Sequence, residues 1–282
     1  MQYKVTNFIA LILLIPMLFV AETRAGDEYS IRAISFGEVK GVNRSFFVEG
    51  EAGEDKVDIP FVIWLLQNKD RTVLFDAGYF RESWTKQWNT QNFVSPDKAV
   101  ANAGVKPEEV TDIIVSHMHW DHAQGALLFP NANVWIQEDE YVYYTGGAWQ
   151  EGGNSGGIDK RDVEGFVKLN LEGRLKFVKG DNVEVIKGIH AYTGGKHTFQ
   201  SQYIRVDGKE PVVLASDNAY LFQNIETQTP INKNATFSLL SNRKAIKRMI
   251  ELAGSVKRVM PGHDPAIFER FPTKGRVATI RE

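Results

Sequence analysis

Ser116-His117-Met118-His119-Trp120-Asp121-His122 places three imidazoles and a carboxylate within six positions, directly after the apolar run Ile113-Ile114-Val115. Histidine is the commonest protein ligand for zinc-like ions, and a short segment with four candidate ligands can serve two adjacent ions if remote residues complete each shell. The chain has six histidines, and two of the other three, His197 and His263, sit in Gly-flanked turns. If the segment stays extended, the two-residue period points His117 and His119 to one side, where His197 can complete a three-nitrogen set. Asp121 and His122 come after the turn and can face a second ion together with His263. Asp217 can bridge the two, because a carboxylate has two oxygens and tolerates the separation of about 3.5–4 Å found in two-metal sites. His190, between Ile189 and Ala191 in an apolar stretch, lacks such a setting and is read as structural.

Each candidate ligand follows a predicted strand. Ile59 to Leu66 and Thr72 to Phe75, separated by Asn68-Lys69-Asp70-Arg71, read as a hairpin. Ser95-Pro96, then Asp97 to Ala103 and Gly104, reads as a capped helix. Residues 112–116 predict a buried strand that delivers the histidine cluster. Val134 to Gln137 predicts a strand before a helix over Glu138 to Tyr144, Ile189 to Thr193 runs toward His197, and Val212 to Ala215 runs into Ser216-Asp217. Ser241 is expected to cap a helix with Ile246, Met249, Ile250 and Ala253 on one face and Gly254 at its end. Val256 to Met260 is then expected as a strand ending at Pro261-Gly262-His263-Asp264. Strands fix the backbone while the loops beyond them project side chains, so this order suits a site at one edge of sheets. Residues 145–161 are Gly-rich around Trp149 and are expected to form a long loop, a lid or an insertion.

Residues 1–25 read as a secretory signal peptide: Lys4, an apolar run from Phe8 to Val20 interrupted by Pro16, then Thr23-Arg24-Ala25. The run falls short of the roughly 20 apolar residues of a membrane span. Residues 26–282 are long enough for one large α/β domain. The chain has no cysteine, so export implies a periplasmic or secreted protein without disulfides or a lipid anchor, and without stable membrane association once the signal is removed. A formal charge of −2, with Lys and Arg scattered, argues against nucleic acid as a partner. At 43% hydrophobic residues the composition is that of an ordered protein.

The His117–His122 segment resembles the His-x-His-x-Asp-His motif of metallo-β-lactamase-fold hydrolases, and Asp76-Ala77-Gly78, His197, Asp217 and Pro261-Gly262-His263-Asp264 stand in that family's order. Within the superfamily the chain looks most like the N-acyl-homoserine lactonases and related lactonases, because Asp217-Asn218-Ala219-Tyr220 puts a tyrosine three residues after the bridging aspartate. The resemblance implies a four-layer αβ/βα sandwich with a dinuclear site at its edge. It implies two divalent ions, zinc first, with iron, manganese or cobalt also suited to such a donor set. A bridging hydroxide would attack the acyl carbon, Tyr220 would donate to the developing oxyanion, and Asp121 would pass a proton to the leaving alkoxide. Asp76 is implied to orient the ligand loop without being a ligand.

One departure bears on substrate: Thr198-Phe199-Gln200-Ser201-Gln202 follows His197 where lactonases often carry Pro-Gly-His. The absence of cysteine also removes the thiolate ligand of many zinc β-lactamases. The expected activity is thus opening of a lactone, acyl-homoserine-lactone-like, or a similar small ester. The alternatives are a glyoxalase II-like thioesterase, an aryl- or sulfate-ester hydrolase, a weak β-lactamase, or a periplasmic binding protein with structural metals. Trp84, Trp88, Trp120 and Trp149 are candidates for an apolar pocket, with packing the plainer role for any single one. A homodimer is among the assemblies open to such a chain.

Overall fold

The computed structural model describes residues 28–282; the signal peptide expected over residues 1–25 lies outside the described residues. The strands run β1 (Ser30–Asn43), β2 (Lys56–Gln67), β3 (Thr72–Phe75), β4 (Asp112–Ile114), β5 (Asn133–Gln137), β6 (Leu175–Val178), β7 (Val183–Ile186), β8 (Ile189–Tyr192), β9 (Tyr203–Val206), β10 (Val212–Ser216), β11 (Val259–Pro261), β12 (Thr273–Lys274) and β13 (Val277–Arg281). Two sheets result among the described residues, one in the order β12-β13-β1-β2-β3-β4-β5-β6 and one in the order β11-β10-β9-β8-β7.

The sequence of β2 shows why the sheets stack. Val62, Trp64 and Leu66 enter the core shared with Ile189, Ala191, Ile204 and Leu214 of the smaller sheet. Phe61, Ile63 and Leu65 enter a second core with Ala99 and Val100 of the Pro96–Asn102 helix and Phe166 and Leu169 of the Lys160–Leu171 helix. Successive strand residues face opposite sides, so a run apolar at every position must be covered on both faces. On the outside of the smaller sheet, the Leu239–Ala253 helix packs on β10 and β11. The order helix, sheet, sheet, helix is the expected four-layer sandwich.

The β2–β3 hairpin forms as the sequence predicts, with Gln67 opposite Thr72 and the turn held by Asn68 Oδ1, which accepts from the amides of Asp70 at 2.9 Å and Arg71 at 2.8 Å. Two expected boundaries are corrected. Ser238, not Ser241, caps the long helix, because its Oγ accepts from the Ser241 amide three residues on, at 3.2 Å. Val256–Arg258 form a 3-10 turn capped by Ser255, and the strand is confined to Val259–Pro261, the residues buried beside β10. β1, the longest strand among the described residues, is not evident from the sequence. Its pairing with β2 shifts register between Ser35 and Gly37 and again between Val39 and Val42, and these irregularities break the alternation by which strands are recognised.

Candidate metal centre

Five loops meet at one edge of the two sheets. They follow β3 (Asp76), β4 (His117 to His122), β8 (His197), β10 (Asp217 to Tyr220) and β11 (His263). Three residues there hold left-handed backbone: Asp76 at φ 61°, Lys196 at φ 55° and Ser216 at φ 48°. Such conformations cost about 1–3 kcal/mol each and persist where surrounding contacts over-determine them. Two of the three immediately precede a candidate ligand. Gly262 precedes another, and it has no side chain for a packing reason: a Cβ there would lie 2.8 Å from the Ser216 carbonyl carbon and 2.9 Å from Asp217 Oδ1.

The side chains fall into two groups, His117, His119, His197 and Asp217 in one and Asp121, His122 and His263 in the other, with the ligand atoms of each group within 4.8 Å of one another. In the first, His119 Nδ1 is 3.0 Å from His117 Nε2 and 2.9 Å from His197 Nε2. In the second, His122 Nε2 is 3.4 Å from both His263 Nε2 and Asp121 Oδ2. Asp217 stands between. Its Oδ2 faces His197 Nε2 at 3.4 Å and His117 Nε2 at 4.0 Å, while Oδ1 faces His263 Nε2 at 2.9 Å and His122 Nε2 at 3.2 Å. A tetrahedral zinc shell with bonds of about 2.0–2.2 Å has edges of about 3.3–3.6 Å, within the range of these spacings.

Hydrogen bonds on the far side of each ring decide which nitrogen carries the proton. His197 Nδ1 donates to the Ala235 carbonyl at 2.7 Å, His263 Nδ1 to the Pro60 carbonyl at 2.9 Å, and His122 Nδ1 to Asp76 Oδ2 at 2.9 Å. His117 Nδ1 donates at 2.8 Å to Ser116 Oγ, whose own proton goes to Asp76. Four Nε2 atoms therefore point inward at a carboxylate. Asp217 Oδ1 is buried with no hydrogen-bond donor. Nitrogens and carboxylate oxygens at such distances repel unless metal ions or protons lie among them, and two such groups sharing one carboxylate fit two metal ions.

The electrostatics separate the two groups. Burial first, then the surrounding imidazoles, keeps His117 well below the ordinary histidine range and His119 at about 3, and burial lowers His197 as well. These three rings are neutral donors. Around His122 and His263 burial also opposes charge, but the neighbouring carboxylates, Asp217 foremost, outweigh it and raise both. Asp217 is held well below the usual carboxylate range, burial opposing and His122 and His263 prevailing.

Residues 62–263 match the family described as the metallo-beta-lactamase superfamily. The chain belongs to that superfamily. An N-acyl homoserine lactonase of Bacillus sp is 26% identical over 224 residues, covering 74% of this chain and 82% of the relative. The N-acyl homoserine lactonase AttM of Rhizobium johnstonii is 26% identical over 243 residues, covering 79% and 88%. A crystal structure of a quorum-quenching N-acyl homoserine lactone lactonase superposes with a TM-score of 0.69 at 21% identity, over 86% of this chain and 95% of that one, and shows the same fold.

In this metallo-beta-lactamase fold two cavities flank the centre and share His119, Gly157 and Tyr220. One, of about 350 Å³, is walled by Val39, Val42, Phe47, Ile59 and Phe61 and reaches Asp121. The other, of about 360 Å³, is lined by more polar residues, among them Asn154, Asn234 and Thr236. Tyr220 Oη lies 3.4 Å from His197 Nδ1, and the Tyr220 carbonyl accepts from the His263 amide at 3.0 Å. Burial first, then the Asp217 and Asp121 carboxylates, raises this phenol well above its ordinary range. Trp88 and Trp120 line the apolar cavity, and Trp84 stacks on Trp120 with ring centres 4.5 Å apart. Trp149 bonds to the Tyr144 carbonyl and does not line either cavity. His190 pairs with Asp207 at 3.2 Å, apart from the two ligand groups.

Two supports escaped the sequence reading. Ser201, within the departure noted after His197, accepts from the His197 amide at 3.1 Å and donates to Asn218 Oδ1 at 2.7 Å, so it ties His197 to the neighbour of Asp217. Asn242, on the Leu239–Ala253 helix, donates to the carbonyls of Gly195 and Asn218 at 3.0 Å each. The Gly-rich segment is not a free lid: the Gly157 carbonyl accepts from the Trp120 amide at 3.1 Å, and Asp159 accepts from Trp84 Nε1 at 3.2 Å.

Proposed function

We propose that the protein is an exported hydrolase that uses two divalent metal ions, zinc by the chemistry of its donors, to open a lactone of the acyl-homoserine-lactone type or a similar small ester. The observation that carries this reading is the division of Asp217, whose two oxygens face histidine nitrogens of different groups. Two bound cations would supply Lewis acidity and bring water's pKa toward about 7. Tyr220, at the junction of both cavities, positions a phenol O–H to donate to the oxygen on which charge develops. Asp121 reaches the apolar cavity and sits 3.4 Å from His122 Nε2, placed to hold a proton and release it to the alkoxide leaving group. The aliphatic and aromatic wall suits an acyl chain, and the lobe beside Asn154, Asn234 and Thr236 suits the polar end of such a substrate.

Metal analysis of the purified protein, combined with turnover on lactones, thioesters, sulfate esters and a β-lactam, tests the reading. Two equivalents of metal and lactone opening are expected. Two equivalents without lactone opening would overturn the substrate, and less than one equivalent in protein purified without chelators would overturn the two-ion site. Export rests on residues 1–25, and N-terminal sequencing of protein recovered from the periplasm or medium is expected to start near residue 26. Recovery of the whole chain in the cytoplasm would refute it.

A further inference from the structure

Glu140 lies in the first turn of the Glu138–Thr145 helix and is completely buried. Three donors converge on its carboxylate. Oε1 accepts from the Met118 amide at 3.1 Å and from Thr198 Oγ1 at 2.6 Å, and Oε2 accepts from the Gln200 amide at 2.6 Å. Met118 stands between His117 and His119, and Thr198 directly follows His197. One side chain thus grips the two loops that supply the three rings of one ligand group, at residues next to or near those rings in sequence. Gln202 joins the same loops lower down, its amide to the Ser116 carbonyl at 2.8 Å and its Nε2 to the Val115 carbonyl at 2.7 Å. Asp76, by contrast, serves both groups, holding His122 directly at 2.9 Å and His117 through Ser116 Oγ, and it makes no bond to the His197 loop.

We propose that Glu140 is a positioning residue that sets the spacing of His117 and His119 against His197 and so tunes one of the two metal positions selectively. The inference rests on the two-ion reading above. It follows from the side-chain chemistry: a carboxylate only accepts, and all three partners donate. An amide in its place would turn an NH2 toward at least one of them in a fully buried site. The two loops come from different sheets, so losing the clamp would let the His197 arm drift from the other two rings. Outer hydrogen-bond partners of metal ligands are generally worth about 10–100-fold in metal affinity.

The test is a competition titration of the full zinc-loaded protein with a chelator, counting each equivalent released, on wild type, Glu140→Gln and Thr198→Val. In Glu140→Gln one equivalent is expected to leave at about 10–100-fold lower chelator concentration, the other at the wild-type concentration. Thr198→Val, which removes one donor of three, should shift the same equivalent less, and it keeps the test alive if Glu140→Gln does not fold. Cobalt substitution should show the visible bands of one site altered and those of the other preserved. Release of both equivalents at wild-type concentrations, or an equal weakening of both, overturns the proposal. If wild type holds a single equivalent, the two-ion reading fails separately, and Glu140 is then judged by whether that equivalent weakens.

Discussion

Asp76 Oδ2 accepts the Nδ1–H of His122 at 2.9 Å, and the same carboxylate takes Ser116 Oγ at 2.9 Å, Ser216 Oγ at 2.8 Å and the Ser116 amide at 2.7 Å. One buried side chain therefore joins the ends of β3, β4 and β10, which belong to both sheets. Asp76→Asn would leave at least one buried donor facing an NH2 group. A hydrogen bond to a charged group is worth about 1.5–3 kcal/mol, so the variant is expected to lose roughly that much in denaturant unfolding. It should also release both metal equivalents at lower chelator concentration than wild type, unlike Glu140→Gln, because Asp76 holds His122 directly and His117 through Ser116 Oγ. Unchanged stability and unchanged release would show that Asp76 does not orient His122.

Tyr220→Phe removes only a hydroxyl from the junction of the two cavities. Loss of one oxyanion donor elsewhere costs about 10²–10³ in kcat, and cations that also polarise the carbonyl should bring the loss here to roughly 10²-fold or less. The expected signature is a lower kcat on a lactone with little change in KM and full metal content. A change confined to KM would make Tyr220 a wall of the pocket.

Gly157 has φ 75°, and a Cβ there would fall 2.7 Å from His119 Cδ2 and 2.8 Å from its Nε2. Gly157→Ala should therefore push the His119 ring and weaken binding of the metal it is proposed to share with His117 and His197. Gly152→Ala is the control, since Gly152 shares the backbone conformation at φ 78° but has nothing within 4 Å of a Cβ. Both variants carry the left-handed strain of roughly 1–2 kcal/mol, and only the first should alter cobalt spectra. Equal effects would assign everything to backbone strain.

The candidate ligands were legible because their spacing carries the chemistry. His117 and His119 share a side by the strand period, and the Gly-flanked settings of His197 and His263 mark post-strand turns. The fold was legible where strands are regular, as in β2 and β3. It was not legible in β1, where shifted register interrupts the pattern, nor at Val256, whose β-branched side chain stays exposed in a turn. Glu140 left no local signal because its partners lie 22 to 60 residues away, and Ser201 left little because the bond that ties it to the Asp217 loop reaches Asn218, 17 residues on. An acidic residue in a first helical turn looks like any favourable dipole partner, and only tertiary structure shows that its carboxylate is turned inward.

That inward carboxylate has a pH signature of its own. Burial pushes Glu140 from an ordinary 4.5 up to about 7, against the pull of Thr198, the Gln200 and Met118 amides and Lys196, while the Tyr144 phenol lies close enough to be raised by it. The folded state therefore holds a proton between about pH 4.5 and 7 that the unfolded chain has released, and stability falls as pH rises through that window. The shift corresponds to about 3 kcal/mol, fully present as a cost above pH 7. Unfolding free energies of metal-free wild type and Glu140→Gln should be compared from pH 4.5 to 8, since their difference cancels the titration of the shared histidines. Wild type is expected to lose on the order of 3 kcal/mol relative to the variant across the window. A difference that grows in favour of wild type would mean that the three donors outweigh burial and hold Glu140 ionised throughout.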